Sequence, residues 1–201
     1  AAGWSPTATT AWSRPYDPSS SPRQVFLDGV RLSAAPSATE TTPNSFFYDA
    51  LALVLYVDIG GGNPADGHFV EAGAFSYGFT VTGKNDIVID GFEMRWQNSN
   101  GIRIGTATAP ASAITVQGTT ISYTESYGIQ VDTGTGSIFI ENNTVSYAGS
   151  TGIRLRGSTG IIARHNTSHH NGFHGMALSA CNYNQIIGNI LYANLDVTSA
   201  S

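Results

Sequence analysis

From residue 87 onward the chain alternates apolar and polar residues in short runs, each closed by Gly, Asn or His. Ile87-Val88-Ile89-Asp90-Gly91 leads to Gly101-Ile102-Arg103-Ile104, and Ile114-Thr115-Val116-Gln117-Gly118 to Gly128-Ile129-Gln130-Val131. Ile138-Phe139-Ile140-Glu141-Asn142 leads to Gly152-Ile153-Arg154-Leu155, and Ile161-Ile162-Ala163-Arg164-His165 to Gly175-Met176-Ala177-Leu178. The glycines at 101, 128, 152 and 175 are spaced 27, 24 and 23, and the column Gly91, Gly118, Asn142, His165 repeats those intervals. A fifth copy begins at Gln185. Two columns agreeing at every step mark a solenoid repeat.

An alternation of two is a strand with one buried face. No copy has the length and spacing of a helix with caps, which excludes helical solenoids. Three short strands in about 24 residues predict one coil of a parallel β-helix, each strand pairing with its counterpart roughly 4.8 Å away. Ile102, Ile129, Ile153 and Met176, and two residues on Ile104, Val131, Leu155 and Leu178, are the expected inward columns. Asn143, Asn166 and Asn189, 23 apart, predict a stack of side-chain amides, and His165 falls in the turn column.

The fold class expected is therefore all-β: a right-handed parallel β-helix of about 23–27 residues per coil, preceded by a β-rich segment. Residues 1–22, with four of the eight prolines, read as an extended lead-in without regular structure. Residues 23–83 read as β-rich, with a hairpin through Asp28-Gly29 between Val25-Phe26-Leu27 and Val30-Arg31-Leu32. Residues 84–201 read as the repeats. The final copy, ending without a helix or charged cap, predicts an incomplete or covered end and self-association through uncapped strands.

Charged residues are only 11% of the chain, its nine Lys and Arg include a single lysine, Lys84, and the net charge is −5. That balance gives no electrostatic case for nucleic acid or an anionic membrane, and no apolar run is long enough to span a bilayer. Cys181 is the only cysteine, so no intrachain disulfide forms. The Ser/Thr-rich, Lys-poor composition points to a secreted or cell-surface location.

The columns resemble those of the pectate-lyase-like superfamily of right-handed β-helix proteins over residues 84–194. The resemblance implies a secreted protein acting on polysaccharide as a lyase or hydrolase, with a groove along the Gly-Ile-x-Val sheet. The same superfamily includes adhesins and tailspikes, so a non-catalytic structural or self-assembling module is the alternative. Outward on that sheet lie Arg103, Gln130 and Arg154, then Asp132 and Arg156. The edge loops bring Glu125, Tyr127, His170 and His174.

Arg154, Arg156 and Arg103 suit recognition of uronate carboxylates, since guanidinium forks bind them bidentately; the plainer reading is that Arg156 pairs with Asp132 as a surface salt bridge. Asp132 is the carboxylate best placed for catalysis, with Glu125 the one residue that would complete a hydrolytic pair. A lyase would instead use a base with Arg154 or Arg156 and a partner in Tyr127 or His174. Asp132, Arg154, Arg156 and His174 are thus the catalytic candidates, and Arg103, Gln130, Tyr127, Glu125 and His170 the substrate-binding ones. No metal set is expected, because no Cys or acid completes the histidines. No cofactor is implied, and bound calcium would need scattered ligands, since no calcium loop occurs.

Overall fold

The computed structural model describes residues 3–18, 20–134 and 136–195. The chain divides into two compact units, Ala1–Phe75 and Ser76–Ala200.

The first unit contains β1 (Ser5–Pro6), β2 (Trp12–Pro15), β3 (Val25–Leu27), β4 (Val30–Arg31), β5 (Ser33–Ala34), β6 (Ser45–Asp49), β7 (Val54–Asp58) and β8 (Val70–Ala72). One sheet has the order β1-β2-β7-β6-β5, and a smaller one β4-β3-β8. The Asp28-Gly29 hairpin forms as the sequence predicts. Both residues take positive φ, 51° and 80°, which matches the twist of a two-residue turn, and Leu27 pairs with Val30. Val25, Leu32, Phe46, Leu55 and Val57 form the core. The segment 1–22 differs from expectation, because it carries two strands. Trp12 to Pro15 pair with Val57 to Val54, and Pro6 and Pro15 are tolerated because each ends its strand.

The second unit is a right-handed parallel β-helix of five coils. The first coil holds β9 (Tyr77–Val81), β10 (Asn85–Asp90) and β11 (Glu93–Arg95). The second holds β12 (Asn100–Ile104), β13 (Ser112–Gln117) and β14 (Thr120–Ser122). The third holds β15 (Ile129–Asp132), β16 (Ile138–Glu141) and β17 (Thr144–Ser146). The fourth holds β18 (Ile153–Arg156), β19 (Ile162–Arg164) and β20 (Thr167–His169), and the fifth β21 (Met176–Ser179), β22 (Gln185–Ile187) and β23 (Ile190–Tyr192). Strands of like position stack into three parallel sheets of five. In the first sheet Ile102, Ile129, Ile153 and Met176 are in register, as are Ile104, Val131, Leu155 and Leu178. That sheet starts with β9, ahead of residue 84 where the sequence repeat becomes visible: Phe79 and Val81 pair with Ile102 and Ile104.

The inward columns are closed to solvent through the fourth coil, where Ile153 and Leu155 are fully buried. In the fifth coil Met176 is half-buried and Leu178 is 46% exposed, since no strand among the described residues covers β21. The glycine at or just before the start of each first-sheet strand marks close approach rather than a special φ. A Cβ on Gly128 would overlap Val145 Cγ1 and lie 2.8 Å from the Gly152 carbonyl oxygen. Where the second sheet turns into the third, Gly118, Asn142 and His165 all take positive φ, so His165 serves a backbone turn.

The asparagine stack forms one residue further on. Asn166 Oδ1 accepts from both the amide and Nδ2 of Asn143, each at 3.0 Å. Asn166 Nδ2 in turn donates to Asn189 Oδ1 at 2.9 Å and to the Ile140 carbonyl at 2.8 Å. A second, shorter amide stack joins Asn171 to Asn194 at 2.8 Å. Buried amides bonded on every side add direction to a core that aliphatic packing alone leaves free to slip.

Candidate functional site

Strand alternation that turns Ile102, Val131 and Leu155 inward turns Arg103, Gln130, Asp132, Arg154 and Arg156 outward on the first sheet. Gln130 pairs in register with Arg154, and Asp132 with Arg156. The C-terminal ends of these strands line a cleft of ≈ 420 Å³, walled by Arg103, Asp132, Thr133 and Arg156 and by a loop carrying Thr106 and Thr108. That loop explains the 27-residue interval. Ile104 to Ile114 is ten residues, whereas Val131 to Ile138 is seven, so the three extra residues build the cleft wall. Thr106 and Ala109 close the loop with reciprocal backbone bonds of 3.0 and 3.2 Å.

Asp132 is held and yet not consumed. Its Oδ2 accepts from Gln130 Nε2 at 2.6 Å. Its Oδ1 is buried without a hydrogen-bond partner, as is Nε of Arg103. No ion pair joins Asp132 to Arg156 among the described residues, so the plainer salt-bridge reading of Arg156 does not hold. Arg156 is exposed and faces the cleft.

Two of the arginines rest on tyrosines contributed by the preceding coil. The Arg103 guanidinium lies 5.9 Å from the Tyr77 ring centre and donates to its hydroxyl at 3.3 Å. The Arg154 guanidinium lies 4.8 Å from the Tyr127 ring centre and donates to its hydroxyl. At the equivalent diagonal between them, Asn100 Nδ2 donates to Gln130 Oε1 at 2.5 Å. Each contact runs from the start of one strand to the middle of the next, and together they fix the outward face.

The remaining candidates lie elsewhere. Tyr127 stands at the N-terminal end of its strand and Glu125 two residues before it, five or more residues from Asp132. His174 occupies the Tyr127 position two coils on, exposed, with its ring 3.9 Å from that of Phe173. His170 lies in the bend immediately after β20, the third sheet's fourth strand. It stacks on Tyr147 at 5.3 Å and meets His169 through their Nδ1 atoms at 2.8 Å. His169 in turn stacks on Tyr192 at 4.8 Å, and Tyr123 stacks on Tyr147 at 4.8 Å. Partial burial and the adjacent His170 hold the His169 imidazole below its usual range. The geometry thus gathers Arg103, Asp132 and Arg156 at the cleft with Gln130 bonded to Asp132, pairs Arg154 with Tyr127 outside the cleft lining, and leaves Glu125, His170 and His174 apart.

Sequence reasoning missed Tyr77 and the Thr106–Thr108 wall. Gly78-Phe79-Thr80-Val81 already fits the glycine-apolar-x-apolar pattern, and the long interval already marks the loop. Among the described residues no group of three or more His, Cys, Asp or Glu is arranged to hold a metal ion.

A family model described as the right-handed β-helix region matches residues 73–198, more than half of the chain and all five coils of the second unit. The chain belongs to the right-handed β-helix family. No curated protein matches it. In this β-helix protein the matched region begins before β9.

Proposed function

We propose that this β-helix protein binds an acidic polysaccharide across the first sheet and cleaves it by β-elimination at Asp132. The carrying observation is a carboxylate fixed by Gln130, with its second oxygen unpartnered, between two guanidiniums that it does not neutralise. Arg103 and Arg156 sit two coils apart, about 10 Å at strand spacing, and supply donors for a uronate carboxylate. With that carboxylate neutralised, the adjacent ring proton becomes more acidic, and the Asp132 carboxylate at the cleft wall is the base that takes it. The electron pair left behind forms the ring double bond as the glycosidic oxygen departs, taking a proton from solvent.

Magnitude favours elimination over hydrolysis. Hydrolysis uses two carboxyl groups about 5–9.5 Å apart. Among the described residues Asp132 is the only carboxylate lining the cleft, and Glu125, in the bend before β15, does not line it, so the cleft holds no second carboxyl group at that spacing.

The test is incubation with polygalacturonate and alginate, following the ultraviolet absorbance of unsaturated ends and, in parallel, reducing ends. Asp132→Asn is expected to lower turnover by about 10²–10⁴-fold with binding retained. Arg156→Gln is expected to raise KM. Reducing ends without unsaturation would replace elimination by hydrolysis, and binding without either product would leave a non-catalytic glycan-binding module. Silence on both polymers would favour the structural reading.

A further inference from the structure

The first unit carries a second cleft, of ≈ 310 Å³, lined by Trp4, Arg14, Pro64, His68 and Phe69 among others. It is made wholly within that unit, by the start of the chain, β2 and the segment preceding β8. Its walls combine two aromatic rings with two basic groups, and its lining residues include no carboxylate.

The aromatic wall is unusual in being both exposed and fixed. Phe69 is 77% exposed, although solvent-facing phenyl rings cost hydration free energy with no return from packing. Its backbone is nonetheless pinned on both sides. The Phe69 amide donates to Asp28 Oδ1 at 2.8 Å, and the Asp28 amide donates to the Phe69 carbonyl at 2.9 Å. The same carboxylate holds His68, whose Nδ1 is 2.6 Å from Asp28 Oδ2. Asp28 is itself locked by the left-handed hairpin turn. One aspartate thus pins the Phe69 backbone and orients the His68 imidazole, and leaves His68 Nε2 directed away from it. Opposite them, the Arg14 guanidinium lies 5.5 Å from the Trp4 ring centre. Arg14 is not needed by the core, which is built from Val25, Leu32, Phe46, Leu55 and Val57.

We infer that this cleft is a binding site for an acidic saccharide unit, separate from the first-sheet cleft. Phe69 offers a flat face to the C–H surface of a sugar ring, beside the Trp4 ring that carries the Arg14 guanidinium. Arg14 takes the carboxylate or sulfate, and His68 Nε2 bonds a hydroxyl. A wholly apolar ligand would leave Arg14 and His68 desolvated without partners, and a cationic one would be repelled by Arg14. The site binds without cleaving: among the described residues no carboxylate lines it, and Asp28 behind it is engaged by both His68 and the Phe69 amide.

The full-length protein in the Asp132→Asn form, titrated calorimetrically with trigalacturonate and with a sulfated disaccharide, tests this. Arg14→Gln and Phe69→Ala alter exposed side chains and are expected to keep the melting temperature. Each is expected to weaken one binding event at least tenfold, and galactotriose, the neutral counterpart, should not bind there. Arg103→Gln and Arg156→Gln should leave this event intact, so failure of the first-sheet cleft and failure of this one are separable. Binding unchanged by Arg14→Gln, equal binding of galactotriose, or no binding that survives the Arg103 and Arg156 substitutions would overturn the inference.

Discussion

Arg154 lies over the ring of Tyr127 from the coil before it, 4.8 Å from the ring centre, and donates a hydrogen bond to the hydroxyl of that same side chain. One tyrosine therefore supplies both a π face and an acceptor to one guanidinium. The pair fixes a cation on a sheet surface where an arginine would otherwise sample many rotamers.

Tyr127→Phe keeps the face and removes the acceptor. It is expected to cost about 1–2 kcal/mol, as for a hydrogen bond to a charged group. Tyr127→Ala removes the face as well, adding about 0.5–1 kcal/mol. Urea unfolding midpoints of the two variants and of Arg154→Ala test the order. Equal stabilities for Phe and Ala would mean the ring contributes nothing.

The asparagine stack should be far less tolerant. Asn166→Ala removes the acceptor for two Asn143 donors and the donor to the Ile140 carbonyl. Stranding buried polar groups at about 1–3 kcal/mol each predicts a loss of roughly 3–5 kcal/mol. Asn189→Ala, at a half-buried position in the last coil, should cost clearly less. Thermal unfolding of the two variants side by side measures the difference.

Gly128→Ala presses a methyl group into Val145 Cγ1 and towards the Gly152 carbonyl. Overpacking of this kind costs about 1–3 kcal/mol. Val145→Ala removes the nearer obstacle, so the double variant should be more stable than the sum of the two losses predicts. A coupling of about 0.5 kcal/mol or more in a double-mutant cycle is the expected result. Strict additivity would show that the backbone oxygen, not Val145, excludes the side chain.

Acid should weaken the two units in different windows. Burial and neighbouring His170 depress the His169 imidazole from its ordinary value of 6.5, so the unfolded chain takes up that proton first. Stability from this site is full above pH 6.5 and is lost as pH falls through the depressed value. The hydrogen bond from His68, then that from the Phe69 amide, depress the Asp28 carboxyl from 3.8. Its contribution is complete above that value and disappears only in stronger acid. Amide protection factors in the last coils, corrected for the intrinsic exchange rate at each pH, are expected to fall as pH drops below 6.5, with those of the first unit unchanged over that window. His169→Gln should flatten that slope. An identical pH response in both units would sink the assignment.

Much of the β-helix is legible in the sequence because equivalent positions in successive coils carry equivalent burdens. Ile102, Ile129 and Ile153 fill one column, and glycine recurs wherever a Cβ would strike the third sheet. The Tyr127–Arg154 and Tyr77–Arg103 contacts escape the same reading, since they run diagonally between different columns, which aligned copies never compare. His170 and Glu125 follow turns whose direction only the backbone sets. The free oxygen of Asp132 was invisible for a further reason: a register pair with Arg156 suggests a salt bridge, whereas Gln130 on its own strand takes the carboxylate first.

Because Asn143 donates to Asn166 and Asn166 to Asn189 in the same sense, the stack has a head and a tail at the level of single side chains. Its length is accordingly quantised. A duplication or excision of one whole 23-residue copy restores the sequence of donors and acceptors and advances or shortens the rod by about 4.8 Å. A half-copy change instead takes the next asparagine out of the column and strands the amide before it. The architecture thus favours evolutionary change in complete turns and resists anything smaller.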